Sequence, residues 1–251
     1  MRAAGVAAGM LAAVVCQSQA AELVALSGQG ATPGVREVAA AFASKSGHKV
    51  TVLQEAGAAL EQKINNGPAD VIAVSPEPMG DLAKKGKVAA GTVAPWVLAG
   101  LGVSVRAGAP KPDISTVEAY KAALLAAKSI GYSYGCSGNH VAEGIAKLGL
   151  TDALKSKTTR TGSGAGGGPV TDYLARGDFE LGIQQTNIMV GVAGTDYVGP
   201  VPGILNDPCP TSIALLTVSK EQAAARDLIK FMLSPEAAPH LRKTHVEPVA
   251  R

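Results

Sequence analysis

Five short segments of this 251-residue chain gather small hydrogen-bonding residues where a β-type run gives way to a helical one. They are SGQGAT (27–32), EAGA (55–58), CSGN (136–139), GGG (166–168) and QQTN (184–187). In open α/β units a ligand binds beyond the carboxyl ends of the strands, where helices begin. The first backbone N–H groups of a helix lack an intrahelical acceptor and sit at the positive end of its dipole. Such loops therefore suit an anion or a strongly polar small molecule. The residues placed to donate, or to let the backbone come close, are Ser27, Gly28, Gly30, Ala31, Ala56, Gly57, Ser137, Gly138, Asn139, Gly167 and Gln185. Any one of these loops is equally an ordinary turn or N-cap. The convergence of several carries the binding reading.

Arg160, just ahead of the glycine-rich GSGAGGG (162–168), is the one cation expected near such a cleft. If its guanidinium reaches in, a carboxylate matches its fork better than a tetrahedral oxyanion does. If it stays at the surface, the site works through neutral donors. Glu55 opposes an anion if it faces the same space. Enzyme chemistry finds less support. His140 lies four residues after Cys136, a spacing open to a metal pair or a thiol–imidazole pair. Zinc needs three or four ligands, however, and two of the other three histidines, His240 and His245, sit in the C-terminal tail. GSGAGGG lacks the Gly-Lys-Ser/Thr ending of a phosphate-binding loop. The expectation is no catalytic residue, no metal and no cofactor.

Composition bounds the class. Aromatic residues are 4%, charged residues 17%, and glycines number 30, which suits a compact α/β chain packed with small residues. A net charge of +3 with interspersed signs leaves no footprint for nucleic acid. MRAAGVAAGMLAAVVCQSQA (1–20) has a basic start, an apolar middle and small residues before Ala21, the pattern of a cleaved secretory leader. Its apolar run is shorter than the roughly 20 residues a membrane span needs. Beyond it, Cys136 and Cys209 are a candidate disulfide in an oxidising compartment; the sequence leaves their pairing open.

Strand and helix patterns alternate from ELVALS (22–27) through a helix with Val35, Val38, Ala39 and Phe42 on one face, then KVTVL and DVIAV. That alternation predicts parallel strands with right-handed crossovers. VAPWVLAGLGVSVRAGAP (93–110) and TSIALLTV (211–218) interrupt it as two crossing strands. The expected architecture is α/β in two lobes, each a mostly parallel sheet flanked by helices. The first lobe takes 21–97 and 214–251, the second 98–213. Ser115 with Glu118, and Ser219 with Gln222, read as helix-opening caps. In FMLSPEAA (231–238), Ser234 and Pro235 end one helix and begin another on the first lobe.

FMLSPEAA resembles the C-terminal signature of periplasmic solute-binding proteins of ABC importers. EVAAAFASKSGHKVTV, GPADVIAVSPEPMGDLAKKGKV, KLGLTDALKSK and LARGDFELGI are similar, in order, to elements of their molybdate-binding branch. The resemblance implies a periplasmic monomer that closes two lobes on a small anionic or polar ligand, an oxyanion or small carboxylate. The hinge strands would join the lobes, and the partners would be a membrane permease and its ATPase. It implies no enzymatic turnover. Molybdate binders use serine hydroxyls after the first two strands and a tyrosine late in the second lobe. The matching positions here are Gly30, Ala56 or Gly57, and Gln185, and GCSG (135–138) with QQ (184–185) points to a side branch. A molybdate or tungstate binder proper, and a sensor subunit signalling to a receptor, are the alternatives.

Overall fold

The computed structural model describes residues 20–162 and 168–250; the expected leader, but for its last residue, and Gly167 lie outside them. Two sheets organise the chain. The first contains β1 (Glu22–Ser27), β2 (Lys49–Gln54), β3 (Val71–Val74), β4 (Ala94–Ala99), β10 (Cys209–Leu215) and β11 (Glu247–Pro248), in the order β11-β4-β10-β3-β1-β2. The second contains β5 (Leu101–Arg106), β6 (Ile130–Ser133), β7 (Thr158–Thr161), β8 (Leu181–Gln185) and β9 (Thr195–Pro200), in the order β7-β6-β8-β5-β9. Within each sheet the strands separated by helices run parallel: β1 with β2 and β3, and β6 with β7 and β8. The long connections demand this, since a helix between two strands returns the chain to the same edge of the sheet. All four residues of β3 and of β6 are buried. For β3 that is why VIAV reads as an apolar run without polar alternation.

The helices cover the sheets. α1 (Thr32–Ser46), α2 (Gly57–Asn66), α3 (Pro76–Lys84), α8 (Gln222–Met232) and α9 (Ala238–Lys243) belong with the first sheet. α4 (Val117–Ala126), α5 (Cys136–Lys147), α6 (Thr151–Leu154) and α7 (Val170–Arg176) belong with the second. Val35, Val38 and Phe42 of α1 share one core with Leu228, Phe231 and Leu241 from α8 and α9. Trp96 is buried in that core and donates its indole N–H to the Met232 carbonyl at 3.0 Å. Leu101, Val103, Ile130, Ile145 and Ile183 build the second-sheet core.

The chain changes sheet at Gly100, between β4 and β5, and returns through residues 201–208. The return differs from the expected switch between 213 and 214. β10 pairs antiparallel with β4 from Cys209 and with β3 through Leu215, so the whole strand belongs to the first sheet. Four terminus assignments also shift. Thr116, not Ser115, caps α4, accepting from the Ala119 N–H at 3.1 Å. α5 starts at Cys136, three residues before Asn139. Glu221, not Ser219, is the N-cap of α8; the Ser219 hydroxyl donates to Asp70 at 2.6 Å and accepts from the Glu221 N–H at 3.2 Å. Ser234 donates backward to Phe231 O at 2.7 Å, and Pro235–Ala237 forms a 3₁₀ turn leading into α9. The tight junction still lays α8 and α9 on the first-sheet core, with Ala237 fully buried between them.

Candidate functional site

A cavity of about 180 Å³ lies where the two sheets face each other. Gly28, Gln29, Gly30 and Ala31 line it from the β1–α1 turn, and Val74 and Ser75 from the end of β3. Cys209, Pro210 and Thr211 come from β10. The β6–α5 turn supplies Ser133, Tyr134, Gly135, Cys136 and Ser137, and β8 supplies Gln184 and Gln185. Among the described lining residues there is no carboxylate, imidazole, amine or guanidinium. Its polar character comes from hydroxyls, amides and the first-turn N–H groups of α1 and α5.

Sequence neighbours within one turn play different parts. Ser27 is fully buried, and its Oγ lies 2.8 Å from Thr32 Oγ1. The Thr32 hydroxyl donates to Gly28 O at 3.0 Å, so Ser27 is the donor between the two. Ser27 therefore fixes the turn and does not face the cavity. Gly28, Gly30 and Ala31 do. In the second half, Ser133 and Ser137 pair through their hydroxyls at 2.7 Å, and both line the cavity. Gly135, at φ 78° and ψ −157°, turns the chain from β6 into α5, a conformation that favours glycine. Gly138 lets α5 sit directly on β6, because a Cβ there would collide with the Ser133 carbonyl. It does not line the cavity.

Arg160 serves the turn from behind. Its Nη2 donates to Asn139 Oδ1 at 2.7 Å, its Nε donates to Ser133 O at 3.3 Å, and its guanidinium lies 4.8 Å from the Tyr134 ring centroid. Neither Arg160 nor the exposed Asn139 lines the cavity, so the branch that remains is a site of neutral donors. Ala56 and Gly57 are exposed at the start of α2 and lie apart from it as well. Glu55 is likewise absent from its lining.

The two halves touch across the cavity. Asn187 donates from Nδ2 to Gly30 O at 2.7 Å. Gln184 Oε1 accepts from the Val170 N–H at 3.0 Å, which orients its amide so that Nε2 donates to Gln29 Oε1 at 3.4 Å. Gln185 occupies the space beside Gly30, where a Cβ would collide with its amide. The glycine at 30 and the glutamine at 185 thus explain each other. The side chain missing from one half leaves room for the amide from the other.

Cys136 and Cys209 are joined in a disulfide, with Cα atoms 5.9 Å apart. Cys136, His140 and Cys209 cluster within 4.8 Å, yet the two sulfurs bond each other and supply neither thiolate ligand nor nucleophile. His140 Nδ1 lies 2.8 Å from Asp207 O. One motif escaped the sequence reading: GYSYG (131–135) has the GxSxG spacing of a nucleophile elbow. The strained serine of an elbow is absent, since His245 is the only described non-glycine residue at positive φ. Ser133 bonds Ser137 and has no histidine partner. Ser75, Tyr134 and Thr211 were also missed, while Gln184 lies in the QQTN segment without having been singled out. Ser75 alone carried a signal, because it stands between an apolar strand and Pro76.

Two α/β halves facing each other over a small cavity of neutral donors define a two-lobed solute-binding protein. The chain belongs to the bacterial extracellular solute-binding protein family, whose sequence model matches residues 23–247. It is 30% identical over 234 residues to a protein named aconitate isomerase from Pseudomonas sp., covering 90% of this chain and 88% of that one. It is 28% identical over 241 residues to the molybdate-binding protein ModA of Azotobacter vinelandii, covering 92% and 90%. The solved periplasmic molybdate-binding protein of that organism superposes with a TM-score of 0.70 at 20% identity, covering 91% of this chain and 99% of that one. At that identity the superposition speaks for the fold.

Proposed function

We propose that this protein captures a small anion, an oxyanion or small carboxylate, between its lobes in the periplasm. It then presents the closed form, as a monomer, to the permease and ATPase of an ABC-type importer. One observation carries the proposal: the cavity walls come from different sheets, and each wall brings a helix N-terminus with hydroxyl or amide donors. Oriented neutral donors stabilise a desolvated anion only when the set is complete, which ties affinity to ligand shape. Contacts from both walls form only on closure, and that difference in affinity is what shifts the open–closed equilibrium. The lobes correspond to the two sheets with their covering helices, and the links at Gly100 and 201–208 form the hinge.

The relative named aconitate isomerase supports a carboxylate ligand as readily as the relative named for molybdate supports an oxyanion. Molybdate is disfavoured by Gly30 and Gln185, which replace two hydroxyl side chains by a glycine and an amide. Turnover is disfavoured too. An isomerisation of aconitate by proton transfer between carbons would need a base, and no carboxylate, imidazole or amine stands among the described lining residues. The test is a thermal-shift panel of molybdate, tungstate, sulfate, phosphate, citrate and cis- and trans-aconitate, with the aconitate samples then followed by NMR. A ligand at 100 times its Kd adds about 2.7 kcal/mol of stability. Stabilisation by one anion with no change in its NMR spectrum is expected. Conversion of either aconitate isomer would overturn the binding-only reading.

A further inference from the structure

The polypeptide joins the two halves twice, at Gly100 and through residues 201–208. The disulfide is a third covalent link. Cys136 opens α5 in the second half, while Cys209 is the first residue of β10 and pairs with Ala99 in the first sheet. The bonded residues are 73 positions apart in sequence, and both lie in the cavity wall. Elsewhere in the cavity, among the described residues, Asn187 donates to Gly30 and Gln184 to Gln29 across the halves, and Gln185 packs beside Gly30.

The geometry points to the Cys136–Cys209 bond as a tether that limits how far the first turn of α5 can leave β10 when the lobes part. This rests on the reading of the cavity as a solute site that opens and closes. A disulfide holds its Cα atoms within about 4.4–6.8 Å. At 5.9 Å, the first turn of α5 can draw away from β10 by only a small displacement before the bond resists. Ser137, next to Cys136 in the chain and in the same cavity wall, is held in place with it. The solute therefore meets the α5 turn already in place. The tether thus positions one half of the donor set in the open state.

The test needs no solute, so it stands whether or not any anion in the panel binds. Small-angle scattering and hydrogen exchange are measured on the oxidised protein, on Cys136→Ser/Cys209→Ser, and on oxidised protein reduced with a phosphine. Removing the bond is expected to raise the radius of gyration and to speed amide exchange in 133–138, with far-UV circular dichroism unchanged. In the oxidised protein, residues 28–32 should exchange faster than 135–138. Unchanged scattering and exchange after both treatments would overturn the tether. If the double variant fails to fold, the reduced wild type decides. Global unfolding there would mean that the bond only staples the fold, and the proposal falls.

Discussion

The two halves of the molecule use the same strand–turn–helix unit at the cavity, yet to different ends. In the first, Ser27 at the end of β1 bonds Thr32 in the first turn of α1, and the pair is sealed behind the turn. In the second, Ser133 at the end of β6 bonds Ser137 in the first turn of α5, and the pair faces the cavity. The difference is one of length. Gly28 to Ala31 give the first turn enough chain to curl over its serine and present backbone. The second turn is shorter, and α5 begins at Cys136 with its hydroxyls still on the open side. One turn offers main-chain groups to a solute, and the other offers hydroxyls as well.

The glycines put the contrast to its hardest test. A Cβ on Gly138 meets the Ser133 carbonyl, which is backbone and cannot yield, whereas a Cβ on Gly30 meets the end of the flexible Gln185 side chain. Gly138→Ala should cost about 3 kcal/mol of stability, the upper range for overpacking a tight site. Urea unfolding reads it. Gly30→Ala should leave stability nearly intact but obstruct closure, weakening solute affinity about tenfold, equivalent to about 1.4 kcal/mol. Gln185→Ala in the Gly30→Ala background removes the collision and should recover part of that loss. Equal stability losses at the two glycines would erase the distinction between a packing turn and a closing one.

The serines sharpen the same contrast. Ser137→Ala removes a hydroxyl from the cavity. A hydrogen bond to a charged group is worth about 1.5–3 kcal/mol, so affinity for the bound anion should fall about 10- to 150-fold by calorimetry. Ser27→Ala leaves Thr32 without its buried donor and should cost about 1–3 kcal/mol of stability, with affinity unchanged. If Ser27→Ala weakened binding as much as Ser137→Ala, the sealed pair would have to be counted as part of the site.

The alternation of apolar strands and amphipathic helices was legible because burial on both faces leaves continuous runs such as Val71–Val74, and one-sided burial gives α1 its stripe. The strand-end rule located Gly28, Gly30, Ala31, Ser137 and Gln185, all of which line the cavity. It misplaced Ala56 and Gly57 because β2 is the edge strand of its sheet, and the end of an edge strand lies away from the facing lobe. Arg160 stands on β7, the edge of the other sheet, which keeps its guanidinium behind the turn. Thr211 carried no signal. It lies inside a strand, and only the antiparallel return of β10 beside β3 brings it to the cavity. Edge position and strand order are set by long-range pairing, which local residue patterns do not encode.

The smallest effect belongs to a contact outside the cleft, and it separates fold stability from binding by pH. Glu37 on α1 accepts from His240 Nδ1 at 3.3 Å and from Lys243 Nζ at 3.4 Å, both on α9. The His240 hydrogen bond holds its carboxyl below the usual range, partly offset by burial, and Lys243 adds to the lowering. A carboxyl depressed on folding contributes stability above its unfolded value of about 4.3, and that contribution disappears as pH falls through the lower folded value. The group is about one-third exposed, so screening keeps the contribution under about 1 kcal/mol. Glu37→Gln should therefore melt slightly lower than the wild type at neutral pH, and the two should converge in acid. Solute affinity should be the same for both at neutral pH, because neither Glu37 nor any residue of α9 lines the cavity. A binding defect in Glu37→Gln would show that the outer tie of α1 reaches the Gly28–Ala31 turn, and the separation of packing from closing would fail in the first lobe.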